Sequence, residues 1–442
     1  MDEIAFDDGI GAALNSLLHG RLALLTGAGL SMAAPSSLPS AATVAAMAKQ
    51  TYDAMYGATR PPLAETIEDQ AEFFFARGEL DTVYFHTLIH HSAFAGRPNQ
   101  GHYAIADLLL IQAIQTAITT NVDTLVETAG QMLWGQIGAC IDGHQAAAQP
   151  AGTAPLLKIH GCRQCDRPNM VWALGQIAVP PVSTRIANSA TWLNAQLLDR
   201  DLLIIGYSTD WDYLNVILSA TVGVVNPAHV WVVDVAPPAA FQTKASDLYA
   251  IGQRATGGFQ YVRASGSEFL DALRREFSRS FIRQLLAMAA QEFTDLTGNA
   301  PNAAWMEPPT LDNPTLWQVR GDLEGRLPNM PSTARTPPHE PLLGLTFLQL
   351  RSAGAVSDGP YWQIGRRRVR VLRAANKSLH RVQAEYERET PPAIAPDLVI
   401  AVGAEAQLLP AHVVRASTVP TIARGSAGHW MTRQEAVVEL AL

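Results

Sequence analysis

The 442-residue sequence predicts an α/β fold with a mostly parallel sheet. Three observations carry this. Short apolar runs of four to seven residues recur through the first 280 residues, helical stretches separate most of them, and the first run leads straight into a glycine turn. A chain this long exceeds the ~150 residues of a single average domain, so two or three domains are expected. The first eight residues, MDEIAFDD, are acidic and unlike a signal peptide, and no apolar run reaches the ~18–20 residues of a membrane span. Three cysteines, Cys140, Cys162 and Cys165, are too few for a disulfide framework and suit a reducing compartment, so a soluble cytoplasmic protein is expected.

Taken in order, residues 3–19 have helical apolar spacing, and Leu22–Leu25 form a strand that ends in Thr26-Gly27-Ala28-Gly29-Leu30-Ser31. Residues 41–56, 65–77, 80–91 and 101–115 read as helices, a helical insertion in the sheet domain at about 41–115. Strands are expected at 116–120, 155–159, 202–206 and 229–235, and helices at 185–199 and 267–291. Nine of the 28 prolines fall between Pro301 and Pro341, which marks a linker or extended segment. The division expected is an α/β sheet domain at 1–290, a proline-rich connector at 291–341 and a smaller α/β domain at 342–442 for oligomerisation or partner docking. That last region holds the apolar run LLGLTFLQL, a helix near 374–389 and a strand at 397–403.

Charge narrows the partners. Lys and Arg total 32 against 40 acids, a net charge of −8, which disfavours a protein coated with phosphate-binding groups. Charged residues make up only 16% and apolar ones 48%, consistent with surface hidden in a homo-oligomer. Seven basic residues crowd into 366–381 (Arg366, Arg367, Arg368, Arg370, Arg373, Lys377 and Arg381). Nucleic acid could meet this stretch, but a protein interface or a solvated face is favoured at this net charge.

Three strand ends carry the candidate chemistry. Gly27 and Gly29 allow a sharp turn and close approach of a ligand, where amides could cradle a pyrophosphate; a purely steric need for glycine is the competing explanation. Asn121 and Asp123 follow the strand at 116–120, where ligands of open α/β sheets bind, and helix capping would explain one of the two. His160 ends the strand at 155–159 beside Gly161 and could accept a proton near neutral pH.

The ordered set GAGLS, PNQGHYAIADLL (98–109), AITTNVDTLVETAG (117–130), KIHG and DLLIIGYS (201–208) resembles the sirtuin family over about residues 15–280. The resemblance implies a Rossmann-like NAD-binding sheet domain with a small helical subdomain. It implies that Gly27, Ala28, Gly29 and Ser31 hold the pyrophosphate and neighbouring ribose, with Thr120 beside them. Gly206 and Ser208 would line the ribose and phosphate path. Asn121 would position the nicotinamide ribose or a water, Asp123 the carboxamide, and His160 would act as general base. Asp234, ending VWVVD, is placed for the adenosine ribose hydroxyls or for a plain strand-end turn.

The sequence also departs from deacylating sirtuins. SMAAPSSLPSAATV replaces their Pro-Asp-Phe-Arg segment, and Cys162-Arg-Gln-Cys165 stands alone where they carry two CxxC pairs. With no second pair to complete four ligands, no metal is expected. The stretch LLIIGYSTDWDYLN resembles the sirtuin-like branch of bacterial antiphage defence. That resemblance implies an NAD hydrolase whose partner is a defence component such as a translocase ATPase. A protein deacylase or ADP-ribosyltransferase is one alternative, and a noncatalytic nucleotide-binding sensor is another.

Overall fold

The computed structural model describes residues 1–150, 153–207, 212–223, 225–325, 341–374, 377–386, 395–404 and 428–442. The chain forms two compact units, Met1–Arg274 and Arg275–Leu442.

The first unit is built on an eight-stranded sheet. Its strands are β1 (Asp2–Ile4), β2 (Leu22–Thr26), β3 (Thr116–Thr119), β4 (Gly138–Cys140), β5 (Pro155–Lys158), β6 (Asp201–Ile205), β7 (His229–Asp234) and β8 (Gly258–Arg263). They lie in the order β1-β8-β7-β6-β2-β3-β5-β4, and each pairing is parallel. A parallel sheet is covered on both faces, so its central strands must be apolar throughout. Accordingly every residue of β2 (LALLT) and β6 (DLLII) is buried. The central register sets Leu24 opposite Ala117 of β3 and Leu203 of β6. This is a doubly wound, Rossmann-like α/β sheet. From β2 the chain moves outward through β3 to β5 on one side. From β6 it moves through β7 to β8 on the other, so the strand order reverses around β2.

Three strands of this sheet were not expected from the sequence. β1 occupies the start of what reads as one helix over 3–19, which begins only at Phe6. β4 is three residues long and β8 lies near the sheet edge with alternating burial, so neither presents an apolar run.

Between β2 and β3, helices Ala41–Tyr56 and Ile67–Phe75 begin at Ser40 and Thr66, whose hydroxyls accept from the N–H groups of Thr43 and Asp69. Leu80–Leu88 winds as a wide π-type helix. These pieces share their own core, in which Tyr84 stacks on Phe74 at 5.2 Å and meets Trp172 edge-on at 6.2 Å. Gln70, fully buried, donates to the carbonyls of Ala45 and Ala64 and accepts from Tyr84 Oη, so no polar atom of its amide is left unpaired in that core.

The second unit carries a five-stranded sheet in the order β13-β12-β11-β10-β9, with β9 (Val356–Asp358), β10 (Tyr361–Ile364), β11 (Arg367–Arg373), β12 (Leu398–Val402) and β13 (His429–Thr432). The first three form an antiparallel meander and the last three run parallel. The apolar run LLGLTFLQL lies in a helix, Pro341–Ser352. Within the proline-rich stretch, Asn313–Glu324 is also a helix. Asp312 caps it, Pro314 sits in its first turn where no N–H is needed, and Gly325 ends it in the left-handed conformation. The prolines here punctuate helices rather than mark an extended chain; residues 326–340 lie outside the described residues.

The basic stretch is paired internally. Arg370 is buried, with Nε and Nη2 each 2.8 Å from an oxygen of Asp322 and its guanidinium 5.1 Å above Tyr386. Arg367 pairs with Glu439 and Arg368 with Asp358. Arg370 is therefore part of the interior and unavailable to a nucleic acid. Among the described residues no helix is long and apolar enough to cross a membrane.

Leu24 is fully buried at the sheet centre, whereas Val438 is 84% exposed. Leu24→Ala should cost about 2–5 kcal/mol in urea unfolding of the first unit, the usual loss for emptying a core leucine. Val438→Ala should change stability by no more than about 0.5 kcal/mol. Equal losses would contradict the placement of the core.

Candidate active site

Strand order reverses around β2, and in open α/β sheets a crevice forms at such a point beyond the carboxyl ends of the strands. The candidate residues collect there. Gly27–Ser31 follow β2, Thr120–Asp123 follow β3, His160 follows β5, Gly206 follows β6, and Asp234 ends β7.

The loops after β2 and β6 touch through their backbones. Gly27 and Gly29 donate N–H bonds of 2.9 Å to the carbonyls of Ile205 and Gly206. A Cβ on Gly27 would lie 2.6 Å from Gly206 O, and one on Gly29 2.8 Å from it. Gly206 itself has φ +62°, a conformation that favours glycine. The glycines thus satisfy the steric demand of two crossing loops, and their amides are engaged with protein. Ala28 N–H, between them, makes no hydrogen bond among the described residues, and Ala28 lines the cleft.

Ser31 is the hub of the site. Its hydroxyl donates to Asp123 Oδ2 (2.8 Å) and accepts from Asn121 Nδ2 (3.0 Å). His102 Nε2 lies 3.1 Å from the same oxygen. His102 Nδ1 accepts from the N–H of Asn99 at 3.1 Å, so the proton of the neutral ring sits on Nε2 and is donated to Ser31. Burial lowers the His102 pKa to about 4, against the pull of the Asp123 charge. Asp123 Oδ1 accepts from Leu125 N–H, which fixes the carboxylate at the start of the helix Leu125–Met132. Asn121 Oδ1 is buried with no hydrogen-bond partner among the described residues.

His160 is buried, and burial lowers its pKa to about 3, opposed by a hydrogen bond with the Thr120 backbone and reinforced by the charge of Arg185. At neutral pH both histidines are therefore uncharged. Beneath the loop, the fully buried Lys158 Nζ donates to Asp123 O and to Glu127 Oε1. Burial alone would lower its pKa, but the charges of Glu127 and Asp123 more than offset this and hold it raised.

Ala28, Ser31, Thr120, Asn121, Asp123 and His160 line one cleft. Its opposite wall is apolar: Leu38, Pro39, Val44, Ile67, Phe94 and Trp172 come from the helical insertion and the stretch around Trp172. Asp234 stands apart, its Oδ1 accepting from Ala236 N–H as a strand-end turn residue does. Ser208 lies outside the described residues. Cys140 and Cys162 are buried and Cys165 is exposed; among the described residues no three His, Cys, Asp or Glu side chains converge as metal ligands.

His102, Asn99 and Lys158 were not picked out from the sequence as site residues, although each lies in a motif singled out there. The Pro-x-x-x-His spacing puts His102 at the third position of a helix capped by Asn99, which turns the ring back toward Ser31. Lys158 reads as the end of an apolar strand, and only the fold brings it under Asp123.

The polar cluster thus stands at the switch point of a doubly wound α/β sheet, where ligands of such sheets bind. Residues 115–250, less than half of the chain, match the family model of the SIR2-like domain. No curated protein matches the chain. Among solved structures, the chain is similar to a Sir2 homologue in complex with NAD, at 16% identity over 63% of this chain and 96% of that one, with a TM-score of 0.35. A structure addressing the mechanism and regulation of Sir2 enzymes aligns at 16% identity over 61% and 97%, with a TM-score of 0.30. Sir2Tm bound to a propionylated peptide aligns at 15% over 60% and 98%, with a TM-score of 0.33.

The two depressed histidines set a pH dependence. Below the unfolded-state pKa of about 6.5 the unfolded chain binds protons that folded His102 and His160 refuse. Stability of the first unit should therefore fall as pH drops from 6.5 toward the folded values of about 4 and about 3. The urea midpoint should be lower at pH 5 than at pH 7, and neither imidazole should titrate in NMR spectra between those values. An imidazole resonance of either residue shifting with a midpoint near 6.5 would contradict this.

Proposed function

We propose that this chain is an NAD-utilising enzyme that hydrolyses the nicotinamide–ribose bond, giving nicotinamide and ADP-ribose. The observation that carries the reading is the single hydrogen-bonded cluster of Ser31, Asn121 and Asp123 sharing a cleft with His160. The SIR2-like match over 115–250 and the ordered motifs support NAD as the substrate. So does the fit of the residues. Asn121 Oδ1 and Ala28 N–H are a buried acceptor and a backbone donor without protein partners among the described residues, which a ribose hydroxyl and a phosphate oxygen would complete.

The chemistry asks little of a general acid. Nicotinamide in NAD carries a positive charge and leaves readily, and the bond breaks through an oxocarbenium-like state, as in glycoside hydrolysis. Asp123, held by Ser31 and Leu125 N–H, would orient the carboxamide. Asn121, held by Ser31, would position the ribose or the attacking water. His160 would act as general base toward that water or a ribose hydroxyl, and with burial holding its pKa near 3 it would pass the proton on rather than retain it. Gly29 and Gly206 bring the two loops together along the phosphate path, with Ser208 and Asp234 assigned to the riboses. Most of the acceleration would come from positioning and preorganised dipoles.

Hydrolysis is favoured over acyl-lysine chemistry by the wall of the cleft. Where deacylating sirtuins carry a phenylalanine and an arginine, this chain places Leu38, Pro39 and Val44. The resemblance of LLIIGYSTDWDYLN supports a further step, an NAD-depleting effector of antiphage defence, working as a homo-oligomer under the control of a partner protein.

Purified protein, alone and with the product of its neighbouring gene, should release nicotinamide and ADP-ribose from NAD when products are separated by chromatography. Asn121→Ala and His160→Ala should each lower turnover by about 10²-fold or more, the range of lost general-base and positioning groups, while retaining the wild-type circular dichroism spectrum. Wild-type turnover in both variants would overturn the roles. Nicotinamide release that requires an acyl-lysine peptide would replace hydrolysis by deacylation.

A further inference from the structure

A second chamber of about 440 Å³ lies against the Val122–Asp123 loop, lined by Phe94–Gly96, Val122–Leu125, Thr128, Arg163, Gln164 and Arg167. Phe94, Val122 and Asp123 belong to both cavities, whereas Ala28, Asn121 and His160 face only the first. Its size falls within the range for small-molecule sites, about 300–1,000 Å³.

The charges facing it are not balanced from within. Arg167 is paired, its Nε 2.9 Å from Asp81 Oδ1 and its Nη1 3.0 Å from His86. Asp123 is occupied by Ser31 and Leu125 N–H. Arg163 has no such partner. It is half-buried, its guanidinium lies 4.9 Å from the centre of the Phe94 ring, and its Nη1 is buried without a hydrogen bond among the described residues. The influences on its pKa are burial, first, and the neighbouring Arg167, both lowering it. No carboxylate forms an ion pair with Arg163 among the described residues. A buried guanidinium N–H is costly to leave unpaired, and among the described residues nothing pairs with Arg163 Nη1.

The backbone of Arg163 is held in place, its N–H donating 3.0 Å to Val122 O, so the side chain starts from a fixed point at the chamber wall. Thr124 begins the helix Leu125–Met132 without using its hydroxyl as a cap, and the positive end of that helix faces the same space. One unpaired guanidinium, with a threonine hydroxyl, the Gln164 amide and a helix start beside it, suits a group with several acceptor oxygens.

We propose that this chamber binds a phosphate-bearing small molecule, with Arg163 as its principal ligand. The site is distinct from the pyrophosphate path assigned under the NAD reading, which runs past Ala28 and Gly206 on the far side of β3. Its occupant abuts the loop that carries Asn121 and Asp123, so it stands where an effector or an ADP-ribose acceptor would touch the reacting centre. The proposal rests on the chamber and Arg163 alone, and it stands whether or not the chain cleaves NAD.

The test is calorimetric titration of the full chain with inorganic phosphate, with NAD titrated separately. Wild type should bind one phosphate saturably. Arg163→Gln should weaken that binding at least about tenfold, the effect of losing one charge-assisted contact, with Arg163→Lys falling between. NAD affinity of Arg163→Gln should stay within about twofold of wild type, since Arg163 is outside the first cleft. Unchanged phosphate affinity in Arg163→Gln, or no saturable phosphate binding by wild type, overturns the proposal. Phosphate binding lost in Arg163→Gln by a protein that does not bind NAD at all would uphold this site while sinking the NAD reading.

Discussion

The Ser31 hydroxyl is the interaction on which the site depends. It joins three segments far apart in sequence: the turn after β2, the helix that holds His102 and the loop after β3. One proton is donated to Asp123, and two are received, from Asn121 and His102. A hydroxyl can donate only once, so the direction of each bond is set once His102 is held in one tautomer by Asn99. Burial keeps that ring neutral, which preserves the direction at physiological pH. The cluster orders the side chains that face the cleft before any ligand arrives, and such preorganisation is what electrostatic catalysis requires.

The backbone frame makes the cluster affordable. β2 lies between β3 and β6, and glycines at 27, 29 and 206 let the two following loops meet at contact distances no Cβ would permit. Below, Lys158 ties β5 to the Asp123 loop and pairs with Glu127. A buried ion pair adds little net stability, but removing one partner leaves a costly charge. Its value here is to hold the loop in register with the end of β5, where His160 stands.

Much of this was legible in the sequence because parallel strands buried on both faces read as short apolar runs. β2, β3, β5, β6 and β7 stand out for that reason, and with them the residues that follow each strand. Asn121, Asp123 and His160 were found by position relative to a strand end, which a sequence displays. The strands of the first sheet that escaped carry no apolar run: β1 is Asp-Glu-Ile, β4 is Gly-Ala-Cys, and β8 mixes buried and half-buried residues. His102 and Lys158 escaped because their roles come from contacts across 71 and 35 residues. Arg163 was hidden between two cysteines that drew attention to metal binding, and its lack of a partner is a property of the fold alone. In the second unit, clustered arginines suggested a surface patch, yet Arg370 lies within the buried run Val369–Leu372 of β11 and pairs with Asp322.

Under the proposed function, NAD binds in the switch-point cleft around Ser31. Hydrogen–deuterium exchange of the His160→Ala protein with and without saturating NAD tests it directly, because the ligand is not consumed. NAD should slow exchange at residues 27–31, 120–124 and 205–207 and leave the second unit, 275–442, unchanged. Protection confined to the second unit, or absent from all three loops, would contradict the account.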